Sequence, residues 1–479
     1  MDQLPDIDAA ASRREALAGG AGAAASLLSG CTGIPGVSVQ VRQFDESDPL
    51  VTYDRIGKGS TTLSYWTSRF YMPAQSGNNQ PELSPLTGPF YRTLRQESAQ
   101  PAATPALRAQ HEEWARAHPD YRVNITYPAP DRWRDGLLTR ASRGNAPDGA
   151  TIDSVWAPEF YQYLQPLNDY VEDIDDFFPF VRETAIQDGD LLAAWKYTGC
   201  GCLYYRQDLI DRYGDGSPPR TWDDVLGLGR DIADGEDITP FLFRGTAFDN
   251  LPYFWGQGGE LVDENGAPVL DRDGNRTALV NTLSFLRKLV DTGVTPEGVA
   301  DISSVEELAR RGRNDQLAMF IGNNDQIERS FKNRVDGDRW QRWRVAHIPM
   351  MESDQFATGV GGFAEGAFRE GNEGDAAAVK QFISKFVEPA SMGRYCESAA
   401  LLPTRQSLYD DETLYSPDTP YHQQFRRFLE HGVARPSVPI YTAIAREYEN
   451  AIESVVTGRT EPERAVETMI ANVTEAYVG

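Results

Sequence analysis

The stretch Trp195–Gly214, "WKYTGCGCLYYRQDLIDRYG", carries the pattern that decides the fold class, because a strand runs directly into a helix. Small, apolar and aromatic residues fill "GCGCLYY", as a buried strand requires, and "RQDLIDRYG" then takes helical spacing. The preceding segment "DLLAAW" predicts a partner strand. Strand and helix patterns alternate on both sides of this stretch. We therefore predict an α/β fold with a largely parallel sheet.

Upstream, two segments repeat this alternation. The residues "LRAQHEEWARAHPDYRVNITYP" predict an amphipathic helix that stops before Pro119 and a strand around Val123 and Ile125. The segment "APDGATIDSVWAPEFYQYL" predicts a turn, a strand and then a helix that opens at Pro158.

Downstream, the turn and cap signals mark further elements. Thr221 is a candidate N-cap, with Asp224 placed three residues later as in a capping box. Asn265-Gly266 lies between apolar residues and predicts a hairpin. The residues "RTALVNTLSFLRKLVDTG" predict a helix, "QLAMFIG" predicts a strand, and the tail from Gly374 is mostly helical.

The N-terminal stretch Ser12–Cys31, "SRREALAGGAGAAASLLSGC", has the order of features of an export signal. An arginine pair precedes an apolar run that is too short to cross a bilayer. The pair resembles a twin-arginine signal, and "LSGC" resembles a lipobox, whose cysteine carries a lipid. We expect a signal at 1–31, a flexible linker at 32–60 and a lipid anchor on Cys31. The alternative is a chance arginine pair in a disordered terminus.

The composition excludes one class of partner and indicates the medium. The net charge is −25, so a nucleic acid is not expected as a partner, because phosphate backbones need a basic face. Six of the 46 basic residues are lysines. An acidic chain with scarce lysine is typical of a haloarchaeal protein that works in very high salt, where screening removes self-repulsion.

Three cysteines remain beside Cys31. Cys200 and Cys202 lie two apart in the predicted strand, so they point to one face and are poorly placed to bridge each other. One of them could pair with Cys396, or all three could be buried thiols, and the sequence leaves both readings open. No cofactor is expected, and no metal either, because three cysteines without a nearby histidine lack a standard zinc spacing.

The order of short motifs resembles family 1 extracellular solute-binding proteins, the substrate receptors of ABC-type importers, and in particular their trehalose/maltose-binding branch. The resemblance runs from about Leu63 to Val473. It rests on "LSYWT", "APDGATIDSVWAPEF", "PLNDY", "GCGCLYYRQDL", "PPRTWDD", "QGGELVDENG", "QLAMFIGNND", "GVGGF", "LLPTR", "RPSVPIY" and "VVTGRTEPERAV".

The resemblance implies a two-lobed periplasmic-binding-protein-like fold of type II, with a ligand cleft between lobes that are joined by crossing strands. Lobe 1 would take residues 61–197 and 320–363, and lobe 2 would take 198–319 and 364–479. It also implies a sugar ligand, either a di- or oligosaccharide, and ABC permease subunits as partners. With the lipid anchor, we expect the protein at the extracellular face of the cytoplasmic membrane.

The resemblance also implies which residues line the cleft. Sugar rings pack on flat aromatic rings, and their hydroxyls need polar partners once water is expelled. The positions that match the family's contact segments are Trp66, Asp153, Trp156, Tyr197, Trp255, Asn323, Asp325, Gly362 and Arg405. Each of the aromatic residues could instead pack in the core and make no contact with a ligand.

Two departures from the family pattern bear on the ligand. Gly199 stands where many relatives carry an acid before the "LYYR" strand, so a hydroxyl-binding carboxylate is in doubt there. Arg244, in "FLFRGTAFDN", could favour an anionic sugar instead.

Two other functions compete with a sugar receptor. A secreted glycosidase would use two carboxylates, but 71 acidic residues make such pairs uninformative. The sequence has no nucleophile elbow, Walker loop, dinucleotide fingerprint or His-Glu-x-x-His motif, and we expect no catalysis. A receptor for another solute, such as a polyol phosphate or a peptide, would share the fold and differ in the pocket lining.

Overall fold

The computed structural model describes most of the chain beyond its N-terminus. The described residues are 52–67, 103–126, 128, 133–302, 304–335, 337–369, 375–413, 415–416 and 421–478. The expected signal, Cys31 and the expected linker up to residue 51 lie outside them. Within the described part, no helix combines the length and apolar character that crossing a membrane requires.

Fourteen strands form in these residues, and they are numbered in chain order. They are β1 Thr52–Gly57, β2 Thr61–Trp66, β3 Tyr121–Thr126, β4 Gly149–Asp153, β5 Ile186–Gln187, β6 Asp190–Leu191, β7 Ala194–Trp195, β8 Gly199–Arg206, β9 Thr239–Leu242, β10 Leu317–Asn323, β11 Trp343–Ala346, β12 Thr358–Gly361, β13 Phe363–Ala367 and β14 Gly432–Ala434.

The helices of the described residues surround these strands. They are α1 Ala103–Ala117, α2 Trp133–Ser142, α3 Ala157–Phe160, α4 Pro179–Ala185, α5 Gln207–Tyr213, α6 Trp222–Gly235, α7 Ala247–Trp255, α8 Asp273–Asp291, α9 Val305–Arg313, α10 Ala376–Val387, α11 Pro389–Ala399, α12 His422–Leu429, α13 Tyr441–Val456 and α14 Pro462–Val478. Shorter 3-10 or π turns cover Tyr161–Tyr163, Ile174–Asp176, Glu297–Asp301, Ile327–Lys332, Gly337–Arg342 and Gln406–Tyr409.

Two local predictions are confirmed. The Thr221 hydroxyl accepts the backbone N–H of Asp224 at 3.1 Å, and the Asp224 carboxylate accepts that of Thr221 at 2.9 Å, so a capping box opens α6. Gly266 has a φ of 77°, and Val262 pairs with Pro268 across the turn. Glycine tolerates this left-handed conformation, which is why the Asn-Gly signal located the hairpin.

The first sheet has the strand order β1-β3-β2-β4-β13-β7. β2 is parallel to β3 and β4, so these three strands end at one edge, and β13 starts at that edge because Phe363 pairs with Asp153. β1 occupies residues that we expected in the linker, so that expectation was wrong from Thr52 onwards. We call this sheet and the helices packed on it lobe 1.

The second sheet has the order β14-β12-β8-β10-β9, with β11 also paired to β8. We call this sheet and its helices lobe 2. In both sheets parallel and antiparallel pairs are mixed, so the expectation of a largely parallel sheet was wrong. The reason is that β8 and β13 each enter a sheet from the other lobe and run against the neighbouring strands.

Strand pairing also corrects the expected division of the chain. Residues 320–363 were assigned to lobe 1, but β10, β11 and β12 all pair within the second sheet. Conversely, α10 packs on lobe 1 rather than lobe 2, since the Phe382 ring lies 5.1 Å from that of Tyr65 in β2. The apolar pattern of these strands and helices is compatible with either lobe. Only the tertiary packing determines which sheet each of them joins.

Three segments lie together where the lobes join, and we call them the crossing segments, although only the first two pass directly from one sheet to the other. The first joins β7, which ends at Trp195, to β8, and the second joins β12 to β13 through Gly362. The third, residues 400–405, leaves α11 and pairs with the first, because Leu402 and Thr198 exchange backbone hydrogen bonds of 2.8 and 3.0 Å. The type II two-lobed architecture therefore has its hinge in these segments.

The three cysteines of the described part are buried and free. Burial raises the pKa of the Cys200, Cys202 and Cys396 thiols, so none is a ready nucleophile. The sequence allowed either a disulfide to Cys396 or three buried thiols, and the structure shows three buried thiols.

A buried ion pair lies in lobe 1 beside the hinge. Lys196 and Glu365 are 1% and 0% exposed and form a close salt bridge. The Thr151 hydroxyl donates to the Glu365 carboxylate at 2.8 Å, and the Tyr65 hydroxyl donates to it as well. Burial lowers the pKa of Lys196, and the neighbouring Glu365 opposes that shift. The network joins β2, β4 and β13 to the first crossing segment.

His111, on α1, lies in the apolar layer above this ion pair. Its ring is 5.1 Å from that of Phe382 and 5.4 Å from that of Phe386. Burial, with a smaller contribution from the Lys196 ammonium, lowers the pKa of His111 to about 3. The folded protein therefore holds this histidine neutral.

Acidification from pH 7 to pH 5 should destabilise the native chain more than a His111→Leu variant, by about 2 kcal/mol. An unfolded histidine takes up a proton near pH 6.5, whereas the folded one does so only near pH 3. The stabilisation is complete above pH 6.5 and is lost as the pH falls towards 3. Urea titrations of both proteins at the two pH values measure it, and parallel pH dependences would contradict the burial of a neutral His111.

Candidate functional site

Lobe 1 and lobe 2 meet where β4 and β14 end. Arg435, which follows β14, places its Nη2 3.4 Å from Oδ1 of Asp153, the last residue of β4. The Ser437 hydroxyl donates to the carbonyl of Ser154 at 2.9 Å. These four residues, which we call the interlobe site, connect the two sheets across the cleft.

The Asp153 carboxylate is held in a poorly solvated place. It is 3% exposed, and burial raises its pKa, while Arg435 and the Val155 N–H, at 3.1 Å, act in the opposite direction. A buried carboxylate that faces a guanidinium offers both a strong acceptor and strong donors for polar ligand groups.

The surroundings of Arg435 are built from three elements of lobe 2. The guanidinium carbon lies 5.6 Å from the ring centroid of Phe248, in the first turn of α7. A Cβ at Gly361 would come within 2.9 Å of Nη2, so this glycine leaves room for the guanidinium. Burial raises the pKa of Tyr441 to about 12, and nearby Arg435 opposes the shift.

A row of aromatic side chains lies beside Asp153 in lobe 1. The ring of Trp133 is 5.1 Å from that of Trp156, edge to face, and 5.3 Å from that of Phe363, stacked. Phe363 is in turn 6.0 Å from Tyr197. Trp156 and Phe363 keep part of their surface exposed, so this aromatic row can present ring faces to a ligand.

Four of the residues selected from the sequence come together here: Asp153, Trp156, Tyr197 and Gly362. The carbonyl of Gly362 accepts the backbone N–H of Ser154 at 3.1 Å. A Cβ at Gly362 would overlap the carbonyl oxygen of Tyr197, so only glycine lets these two crossing segments approach so closely. This grouping follows from the strands, whose ends share one edge.

Asn323 and Asp325 lie at the end of β10, on the lobe 2 side. Among the described residues, nothing forms a hydrogen bond with the side-chain oxygen of Asn323, which leaves it as a candidate contact. The Asp325 carboxylate is bound in a close ion pair to Arg329, one helical turn away. Asp325 is thus a weaker candidate than the sequence indicated.

Arg405 was selected as a ligand contact, and the structure corrects this. Its guanidinium is 2% exposed and donates to the carbonyls of Val387, Glu172 and Asp173 at 2.7, 2.7 and 3.1 Å. It also stacks 4.4 Å from the Phe177 ring centroid. Arg405 also pairs with Asp176 at 3.4 Å, so its buried guanidinium is committed to lobe 1 partners and fixes a loop of that lobe.

Arg244 is likewise committed to the protein. It makes a bidentate ion pair with Asp249, at 2.7 and 2.8 Å, and both side chains are buried. The pairing neutralises the guanidinium, so the suggestion that Arg244 attracts an anionic sugar is not supported by its position.

Trp66 and Trp255 are not brought to the interlobe site by any described contact. Trp66 ends β2 at the correct edge, but it is buried and the Arg140 guanidinium lies 5.3 Å from its ring centroid. Trp255 ends α7, whereas Phe248 at the start of the same helix lies beside Arg435. These two residues are seven positions apart, so about 10 Å separates their Cα atoms along the helix axis.

The sequence reasoning missed the lobe 2 half of the site and part of the aromatic row. Arg435, Ser437 and Tyr441 all belong to "RPSVPIY", which is part of the family resemblance but carries no spacing that marks these residues as contacts. Trp133 carried no signal that would distinguish it from a core tryptophan. Within the described ranges, no group of three or more His, Cys, Asp or Glu side chains could hold a metal ion.

Comparisons with known proteins agree with this architecture. Residues 96–328 match a family model described as bacterial extracellular solute-binding protein. A probable ABC transporter-binding protein of Deinococcus radiodurans is 25% identical over 342 residues, which cover 66% of this chain and 77% of that protein. A putative binding protein of Brucella abortus is 21% identical over 403 residues, 81% of this chain and 90% of the relative.

Solved structures share the fold. The sugar-binding protein MalE from Xanthomonas citri superposes with a TM-score of 0.70 at 21% identity, covering 87% of this chain and 97% of that one. Maltose-bound MalE3 from T. maritima gives 0.66 at 23% identity, with 86% and 99% covered. At such identities the similarity establishes the two-lobed fold and leaves the ligand to be argued from the site.

Proposed function

We propose that this chain, which belongs to the bacterial extracellular solute-binding protein family, captures a di- or oligosaccharide between its lobes and delivers it to the permease of an ABC-type importer. The observation that carries the proposal is the interlobe site, where a buried acid and a guanidinium from opposite lobes meet beside partly exposed aromatic rings. A ligand held there would contact both lobes and so favour the closed form.

The chemistry of the site suits a sugar. The faces of Trp156 and Phe363 can pack against the C–H faces of a pyranose, which bury apolar area at small entropic cost. Asp153 accepts and Arg435 donates hydrogen bonds, so hydroxyls find both kinds of partner. The close pairing of the two charges favours a neutral polar ligand over a strongly charged one.

The same arrangement argues against hydrolysis as the function. A glycosidase places two carboxyl groups on either side of the scissile bond. At the interlobe site the described carboxylate is Asp153, and it is paired with Arg435. We therefore propose a receptor that releases its ligand unchanged.

The location follows from the family and from the N-terminal motif. An extracellular receptor must stay near its permease, and a lipid on Cys31 would hold it at the outer face of the cytoplasmic membrane. The acidic, lysine-poor composition fits a medium of high salt.

A binding screen in molar salt tests the proposal. Di- and oligosaccharides, polyol phosphates and oligopeptides are added to the purified protein, and hits are titrated by calorimetry while the ligand is followed by chromatography. We expect one saccharide per chain, bound intact, with stabilisation of about 2.7 kcal/mol at 100 times Kd. Binding of another class alone would support the alternative receptor, and release of monosaccharide would support an enzyme.

A further inference from the structure

We propose that Asn324 is a positioning residue of the hinge, whose side-chain amide ties the first crossing segment to the third. The inference rests on the proposed function only in that a receptor of this kind needs lobes that close about a fixed pivot. It concerns the pivot itself and not the ligand contacts.

Asn324 follows β10 and is buried. Its backbone N–H donates to the carbonyl of Cys200 at 3.0 Å, and its side-chain Oδ1 accepts the N–H of Cys200 at 3.0 Å. Asn323 pairs with Gly201 in the same ladder. The side chain thus replaces a backbone carbonyl and extends the pairing of β10 with β8 to Cys200, near the point where the first crossing segment ends.

The other end of the same amide reaches lobe 1. Nδ2 of Asn324 donates to the carbonyl of Ala400 at 3.1 Å. Ala400 is the residue at which α11, packed on lobe 1, ends and the third crossing segment begins. This hydrogen bond therefore joins the end of a lobe 2 strand to the end of a lobe 1 helix, at the pivot.

The backbone at both contact points is adapted to this amide. Ala400 has a φ of 55°, a left-handed conformation that costs free energy for a residue with a Cβ. A Cβ at Gly199 would lie 3.0 Å from Oδ1, so glycine gives the amide its space. The strained turn at Ala400 and the glycine at position 199 both lie against the side chain of Asn324. These contacts indicate that the position requires an asparagine.

Only an amide satisfies both partners. The N–H of Cys200 requires an acceptor and the carbonyl of Ala400 requires a donor, and this requirement also fixes the orientation of the amide. Aspartate has the same shape and keeps the acceptor, but it would set a second oxygen against the Ala400 carbonyl. Asn324→Asp therefore removes the bond to the third crossing segment alone.

The test measures the distance between the lobes without a ligand, so its failure is distinguishable from a failure of sugar binding. Spin labels are placed on cysteines introduced at exposed Glu112 in lobe 1 and Asp231 in lobe 2, and the distribution is recorded by pulsed electron resonance. For Asn324→Asp we expect the distribution to widen at least twofold. Asn333→Asp, which adds the same charge at an exposed position, should leave it unchanged.

Ala400→Gly provides a second variant, which frees the backbone of the strained turn without changing the side chain of Asn324. We expect it to widen the distribution as well, because glycine lets the carbonyl turn away from Asn324, while the melting temperature does not fall. A purely structural Asn324 would lower the melting temperature of Asn324→Asp and leave the distance distribution as in the native chain. That result, or an unchanged distribution in Ala400→Gly, would overturn the proposal.

Discussion

Lys196→Met is expected to lower the free energy of unfolding by about 3–5 kcal/mol, because it leaves the Glu365 carboxylate buried without its counterion. The Thr151 and Tyr65 hydroxyls still donate to that carboxylate, but neutral donors do not replace an ammonium. Denaturant titration in molar salt at pH 7 measures the loss. Salt should change this loss of free energy little, because the ion pair is excluded from solvent and is therefore weakly screened.

Two variants separate charge burial from loss of packing. The double variant Lys196→Met/Glu365→Gln removes both charges and should recover most of the lost free energy. Lys385→Met breaks two partly exposed pairs, with Glu388 at 2.6 Å and Glu113 at 3.1 Å, and should cost about 1 kcal/mol or less. If Lys196→Met cost no more than Lys385→Met, the ion pair would not be buried as described.

Arg435→Met is expected to weaken saccharide binding about 30- to 150-fold, which corresponds to about 2–3 kcal/mol. The substitution keeps an apolar stem but removes the donors that face Asp153, so a ligand hydroxyl loses its partner and the carboxylate is left without its counterion. Calorimetry with the saccharide found in the binding screen measures the change in Kd.

The matched control is Arg446→Met, at an exposed arginine on α13 that pairs with Glu447. It should bind the saccharide as the native chain does. Equal affinities for Arg435→Met and the native chain would place the ligand elsewhere in the molecule, even if the lobes still closed.

The sequence located the parts of the site that depend on local order. Asp153 ends a buried strand and Trp156 follows it closely, while Tyr197 and Gly362 lie in segments that leave one sheet for the other. The resemblance implied that these residues line one cleft, and the parallel strands β2 and β4 do end at the same edge of the sheet. The structure confirms the two-lobed fold, and it places these four residues together.

The direction of a side chain could not be predicted in the same way. Arg405 and Trp66 also lie next to strands or crossing segments, but their side chains turn towards a loop and a helix of lobe 1. Nothing in the spacing distinguishes an arginine that meets three carbonyls from one that meets a ligand, because those carbonyls are more than 200 residues away in two of the three cases.

The lobe 2 half of the site was missed for a related reason. Arg435 follows a three-residue strand whose partner, β12, is more than 70 residues upstream. No periodicity in "GVARPSVPIY" predicts that pairing, so nothing in the local pattern indicates that the arginine lies beside Asp153. The incorrect assignment of β10 to lobe 1 has the same cause, since long-range contacts determine which strands pair.

Small-angle scattering of the protein with and without its saccharide tests the central claim most directly, because capture between the lobes must change the separation of their centres of mass. The account predicts a smaller radius of gyration in saturating saccharide, and no such decrease in the Arg435→Met variant at the same concentration. Tight binding of the saccharide with an unchanged radius of gyration would contradict it.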